Sequence, residues 1–349
     1  MSTGFYPRYD QLGASSRYRF FTCYNEWLKR DPSADILLKP GLSDTYLKKL
    51  YRTGRVPLIR GCWENFRMLM RGFSLPEKLI IEYELVPNLA YKYEKFLIGG
   101  RPYILNYDDN VWVKYQNKPA LLDKYDQLCR NAAGVITANS FLYEKVSALN
   151  KNVIIIPTVV DLEKYQSAQA EKSSVFTAAW IGSPVTYCYL EKHLDMLQKV
   201  FGNDEAQLLV IADENLQYTR PLKGVNARYV NWSEESEINY IKECHIGIMP
   251  LCDDEFSRGK SAFKLLQYQA AGLPLAASPV GENKNVVIPG ENGFLADSQE
   301  EWLKSITLLR TDHMLYEKCQ RVSLQRAYEY SLQKYFPVFM EFVKRSLNI

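Results

Sequence analysis

An α/β protein built of two doubly wound domains facing a cleft is what the sequence predicts, and three observations carry the prediction. The chain has 349 residues, more than one core of about 250 to 300 residues accommodates. Short apolar runs alternate with helical patterns, as in parallel sheets with crossover helices. The runs fall into two series, divided by the polar stretch Glu163 to Ser174, which reads as an interdomain linker.

The first series holds candidate strands at Gly4 to Tyr6, Leu79 to Tyr83, Tyr103 to Asn106, Gly134 to Thr137 and Val153 to Pro157. The second holds Phe176 to Ile181, Gln207 to Ala212, Val225 to Val230, Ile246 to Pro250 and Leu275 to Ala277. Helical patterns at Tyr189 to Phe201, Glu234 to Glu243 and Ala262 to Ala271 alternate with the second set. A last apolar stripe at helical spacing, from Tyr330 to Val343, reads as packing rather than as a site. Because open parallel sheets bind ligands beyond the carboxyl ends of their strands, the loops after these strands are where function is expected.

Composition narrows the classes. Hydrophobic residues at 47% and charged residues at 24% are those of a folded globular protein. Lys plus Arg (43) nearly balances Asp plus Glu (40), which argues against a dedicated nucleic-acid binder. The seven cysteines show no CxxC spacing and the three histidines no ligand pattern, so reduced thiols and no metal site are expected. No run approaches the roughly 18 to 20 apolar residues that cross a bilayer, and MSTGFYPRYD lacks the plan of a signal peptide, so a cytoplasmic protein is expected.

The most informative segment is residues 246–296, IGIMPLCDDEFSRGKSAFKLLQYQAAGLPLAASPVGENKNVVIPGENGFLA. Phe256 to Ser261 (FSRGKS) opens a helix, and the free N–H groups and dipole of a helix start favour an anion such as a diphosphate. Lys260 and Lys264, four apart, are expected on one side of that first turn, where they can neutralise a departing nucleotide. A solvated basic helix start is the plain alternative for them and for Arg258. Strand-ending Pro250, AAGLPLAAS with Gly272 and Pro274, Pro279-Val280-Gly281 and Asn292 to Ala296 then follow in order. As one set they resemble the donor-binding region of the family-4 retaining glycosyltransferases.

The resemblance implies a GT-B plan of two Rossmann-like domains and a nucleotide-sugar substrate, with no cofactor. It divides the chain into an acceptor-binding domain (1–162), a donor-binding domain (163–326) and a C-terminal helix (327–349) that crosses back. Where most of that family has two glutamates eight apart, this chain has Gly259 and Gln267. Gln267 still donates and accepts hydrogen bonds to a ribose, whereas Gly259 has no carboxylate for the donor sugar. Asp253, Asp254 or Glu255 of the longer preceding loop are substitutes, or else an acidic surface. Gly281 suits close backbone approach, and Glu282 and Asn283 can touch hydroxyls. Gly182, Ser183 and Thr186 occupy the place of the family's diphosphate loop, though the hydroxyls serve equally as a helix cap. Trp232 stands where relatives bracket the nucleobase, or is plain core.

In the first series, Gly13-Ala14-Ser15-Ser16-Arg17 matches the family's glycine-containing loop, with Arg17 placed to pair with phosphate. Asp108 and Asp109, at the end of a strand, resemble the "DDA.W" stretch of a subgroup and suit orienting or deprotonating an acceptor hydroxyl. Capping the next turn is their structural alternative. From Lys48 to Arg71, seven basic side chains face the single acid Glu64, with Tyr51, Trp63, Phe66, Met68, Leu69 and Met70 interleaved. That mixture suits an anionic bilayer or a solvated helical face. The function implied is transfer of a hexose-type sugar from a nucleotide-diphosphate sugar to a cell-surface glycan or lipid-linked acceptor, retaining and metal-independent, at the inner face of the cell membrane. A sugar-nucleotide epimerase and a non-catalytic nucleotide-sugar-binding protein are the alternatives.

Overall fold

The structure, a computed structural model, describes residues 2–349. The chain forms two compact units, one of residues up to Val159 with Gly259–Ser261 and Tyr335–Ile349, the other of Val160–Arg258 and Ala262–Lys334. The polar stretch after Glu163 lies just inside the second unit, and its start is helical, Leu162–Ser167, capped by Asp161.

In the first unit the strands are β1 (Thr3–Tyr6), β2 (Ile36–Leu38), β3 (Lys78–Glu82), β4 (Tyr103–Tyr107), β5 (Gly134–Thr137) and β6 (Val153–Ile155). They pair in parallel in the order β2-β1-β3-β4-β5-β6. The second unit has β7 (Phe176–Ile181), β8 (Ala206–Ala212), β9 (Ala227–Asn231), β10 (Ile246–Met249), β11 (Leu275–Ala277) and β12 (Gly293–Leu295). Its order is β12-β11-β10-β7-β8-β9, again parallel. Both are doubly wound Rossmann-like sheets. Chain direction reverses between β1 and β3 in one and between β7 and β10 in the other, and such switch points are where open α/β sheets bind ligands.

The inner strands form because their runs are apolar enough to be buried on both faces; every residue of β3 and β4 is buried. Edge strands β2 and β12 carry only three residues each. The pattern read as one helix from Tyr189 to Phe201 is two, Cys188–Lys192 and Leu194–Phe201, broken at His193. At the end of the chain, helix Leu332–Leu347 buries Phe336, Phe339, Phe342 and Val343. Phe339 lies 6.3 Å from the ring of Phe5 in β1.

Candidate functional site

At the switch point of the first unit, β1 runs into a loop and then into a helix that begins at Ala14. Arg17–Phe21 makes a π-helical turn, a form concentrated at functional positions, before regular helix resumes at Thr22–Arg30. The turn points two arginines inward. Arg17 donates from Nη1 to the Gln11 carbonyl (2.7 Å) and stacks on Tyr18, so its predicted phosphate-pairing end is engaged with its own loop. Arg19, which sequence reasoning did not select, donates from Nε to Asn106 Oδ1 (2.6 Å), from Nη1 to Thr158 Oγ1 (3.2 Å) and from Nη2 to the Ile156 carbonyl (3.0 Å).

Two carboxylates follow β4. Asp108 is buried and accepts a hydrogen bond from the Tyr83 hydroxyl. Asp109 is half-buried, and its carboxyl is pushed up to about 6 by desolvation, opposed by Lys260 and reinforced by Asp108. The next helix, Val111–Lys114, is entered through Asn110 with no side-chain cap, so neither aspartate caps it.

The tripeptide Gly259–Ser261 belongs to this unit. Asn139 places it, donating from Nδ2 to the carbonyls of Gly259 (2.9 Å) and Lys260 (3.1 Å) while its Oδ1 accepts Leu142 N–H (2.9 Å) as a helix cap. A Cβ on residue 259 would sit 2.6 Å from the Cβ of Asn110, which is why glycine stands there. Asn139 escaped the sequence reading because an asparagine after a strand signals only a helix start. A cavity of about 580 Å³ in this unit lies at the other end of the sheet, beside the first residues of β1 and β2, away from these loops.

In the second unit, β7 runs into Gly182 to Thr186. A Cβ at Gly182 would lie 2.5 Å from the buried Trp180 ring, so backbone and ring are in close contact. Ser183 N–H donates to Thr186 Oγ1 (3.2 Å), and Thr186 Oγ1 donates to the Ser183 carbonyl (3.1 Å), which closes the loop into a turn. Lys264 Nζ lies 4.2 Å from the Trp180 ring centroid. Helix Phe263–Ala270 thus begins beside the end of β7, and the Ile181 N–H to Tyr268 Oη hydrogen bond (3.0 Å) fixes it there.

One sequence expectation is corrected here. Lys260 and Lys264 do not share a helical turn: Ala262, at φ 53°, holds a left-handed conformation that ends any helix before Phe263. Lys260 precedes this break and Lys264 follows it, and they belong to different units. Arg258 ends the short helix Glu255–Arg258 and pairs on the surface with Asp253 (2.6 Å). Asp254 accepts Ser257 N–H (2.7 Å), and Ser257 Oγ meets Tyr189 Oη at 2.9 Å. Of the three acids offered in place of the missing glutamate, Asp253 and Asp254 are therefore committed to this loop. Gln267 is buried and Ser261 half-buried.

Gly281 has φ +52°, and a Cβ there would meet the Arg258 carbonyl at 2.6 Å, so the loop after β11 folds tightly under residue 258. Beside it Glu282 is half-buried, its carboxyl raised by desolvation, and Asn285 donates to it (3.2 Å). Asn283 is buried and donates to the Ser278 carbonyl (3.0 Å). Trp232 packs on the apolar core and donates from Nε1 to Glu237 (2.6 Å). Among the described residues, no group of three or more His, Cys, Asp or Glu is arranged to hold a metal ion.

Residues 171–312, which hold both loops of the second switch point, match the family described as Glycosyl transferases group 1. No curated protein matches the chain by sequence. The fold is GT-B, shared with solved glycosyltransferases across nearly the whole chain. HepE of Anabaena, crystallised in complex with UDP, is 13% identical with a TM-score of 0.69, covering 99% of this chain and 100% of that one. Sucrose-phosphate synthase from Thermosynechococcus elongatus is 14% identical with a TM-score of 0.67 and covers 99% of each chain. The pneumococcal O-GlcNAc transferase GtfA, in complex with UDP and GlcNAc, is 13% identical with a TM-score of 0.56, covering 82% of this chain and 60% of that one.

Proposed function

We propose that this protein is a glycosyltransferase moving a hexose-type sugar from a nucleotide-diphosphate sugar to a hydroxyl of a cell-surface glycan or lipid-linked acceptor. The observation that carries the reading is the match of residues 171–312, since it covers the strand ends at which a doubly wound sheet takes a nucleotide. In this reading the diphosphate meets the Gly182 to Thr186 turn and the start of helix Phe263–Ala270, with Lys264 beside it. The bond from the sugar's anomeric carbon to the phosphate oxygen breaks, and its electron pair leaves on the diphosphate, whose charge Lys264 stabilises. The acceptor oxygen attacks from the same face, which retains configuration. Asp109 takes the acceptor's proton; a carboxyl at about 6 is largely ionised at neutral pH yet basic enough for the task. Lys260 lies close enough to lower that value. Cationic side chains occupy the role a metal plays in other transferases, so none is required.

The test is transfer from UDP-glucose, UDP-N-acetylglucosamine and GDP-mannose, with binding followed by thermal shift. Lys260→Ala is expected to lower transfer roughly 10² to 10³-fold, the scale of losing one charge-stabilising group, with Tm little changed. EDTA should leave the rate unaltered. Binding without transfer to any acceptor would sink the enzyme reading in favour of a nucleotide-sugar-binding protein, and turnover of donor without acceptor would favour an epimerase.

The same reading has the acceptor at the inner face of the cell membrane, and the exposed surfaces of helices Asp44–Thr53 and Leu58–Gly72 support it. Leu58 (83%), Ile59 (86%) and Trp63 (63%) are exposed, with Phe66, Met70 and Phe73 beside them in sequence and exposed too. Lys48, Lys49, Arg52 and Arg55 are exposed on the preceding helix and turn. Arg67 and Arg71 are engaged within the unit: Arg67 pairs with Glu64 (2.9 Å), and Arg71 donates to the Leu85 carbonyl (2.9 Å). Apolar exposure on this scale marks a binding surface, and each nearby base adds about 1 kcal/mol on an anionic bilayer. Among the described residues no helix is long and apolar enough to cross a membrane. Co-flotation with phosphatidylglycerol vesicles, lost at high salt or in Trp63→Asp, is the expected result; equal flotation with neutral vesicles would contradict it.

A further inference from the structure

Glu82 ends β3 at the first switch point, is 1% exposed, and was not among the residues the sequence singled out. One of its oxygens, Oε2, receives two donors: the Arg8 backbone N–H (2.7 Å) and the Ser16 hydroxyl (2.5 Å). Ser16 Oγ in turn accepts the Tyr9 N–H (2.9 Å). The two ends of the loop from Arg8 to Ser16 are therefore tied to a single carboxylate oxygen. The other oxygen, Oε1, is buried and has no hydrogen-bond partner. Among the described residues no cation pairs with Glu82 either, since the Arg8 guanidinium turns to Glu84 (2.8 Å).

A buried carboxyl with neither counter-ion nor full hydrogen bonding is costly, and such groups persist where the surrounding structure uses them. Charged groups facing Glu82 are Asp108 after β4, Arg8 on the loop, Arg19 on the π-helical turn and Arg71 from helix Leu58–Gly72. Burial, then Asp108, pushes the Glu82 carboxyl up to about 7, against the two hydrogen bonds and Arg8.

We infer that Glu82 is a positioning residue: through Ser16 and the Arg8 amide it sets the loop that carries Gly13 and Arg17, and through that loop the rate of transfer. The functional half rests on the glycosyltransferase reading; the loop-holding half does not. Glu82→Gln keeps a carbonyl oxygen for both donors, whereas Glu82→Ala removes it and Ser16→Ala removes one donor.

The experiment is hydrogen–deuterium exchange of the full chain, following the peptide spanning residues 7–17, alongside kinetics with UDP-glucose. Glu82→Ala and Ser16→Ala are expected to speed exchange of that peptide at least tenfold and Glu82→Gln less than threefold, with peptides from β4 and β5 unchanged. In transfer from UDP-glucose, the two alanine variants should lower the rate at least tenfold, and Glu82→Gln should restore it. Wild-type exchange in both alanine variants would overturn the inference, as would faster exchange with an unchanged transfer rate. If the wild-type chain transfers nothing from any donor, the glycosyltransferase reading fails separately, and the exchange result still decides whether Glu82 holds the loop.

Discussion

The two units reach the same doubly wound topology with opposite internal chemistry. In the first, Arg8, Arg19, Glu82, Glu84, Glu94, Asp108 and Lys124 are all buried. Lys124 Nζ contacts Glu84 and Glu94 at 2.6 Å each, and Tyr125 donates to Glu84 (2.8 Å). Among the described residues of the second unit, the one buried charged side chain is Glu237. There Trp180, Tyr187 and Tyr268 support the loops from below, and the loops close on hydroxyls and backbone. An apolar base beneath loops of small residues repeats as a contiguous sequence pattern. A buried ionic network is assembled from residues tens of positions apart and leaves no such pattern.

The comparison can be broken most directly with two substitutions of similar cost but different physics. Lys124→Ala removes the cation shared by two buried carboxylates, leaving Glu94 without one and Glu84 with Arg8 alone, and should destabilise by about 3–5 kcal/mol. Trp180→Ala opens a cavity and should cost about the same. Calorimetry at several pH values separates them. The Lys124→Ala deficit should shrink as pH falls and Glu84 and Glu94 take up protons, while the Trp180→Ala deficit stays flat. A flat Lys124→Ala deficit would mean the first unit is not held by charge.

A smaller effect sharpens the picture. Because the folded state raises Glu82 from 4.5 to about 7, its stabilising contribution is complete below the unfolded value and is lost as pH climbs through about 7. Glu82→Gln mimics the protonated form, so it should match wild type near pH 5 and exceed it at pH 8, by on the order of a few kcal/mol. Equal stability at both pH values would remove the strain assigned to the ionised carboxyl. Smallest of all, Arg258→Ala breaks a pair in which both side chains are more than half exposed, and Tm should not measurably change.

Much of the fold was legible. Runs such as Phe176 to Ile181 and Gly134 to Thr137 coincide with strands because burial on both faces demands uninterrupted apolar residues. Strands β2 and β12, three residues each at a sheet edge, were missed, whereas the equally short edge strand β6 was read because its apolar run continues to Ile156. The candidate site was legible where it is local. Gly182 lies against the Trp180 ring and Gly281 against the Arg258 carbonyl, contacts within the protein, and Asp108 and Asp109 follow β4 at the strand end where the sequence put them. It was misread at Lys260 and Lys264, where helical spacing was assumed through Ala262, a residue with no propensity signal for a left-handed turn.

From its order of residues alone, this protein's two-series α/β plan and a segment at 246–296 that falls within the Glycosyl transferases group 1 match were determined, because burial and backbone approach act on neighbours in the chain. Tertiary structure decided what depends on residues distant in sequence. It drew Gly259–Ser261 onto Asn139, turned Arg17 onto its own loop, and set Glu82 beneath Ser16 with no counter-ion among the described residues. Desolvation and partner choice are properties of an enclosed position, and only the assembled sheet encloses it.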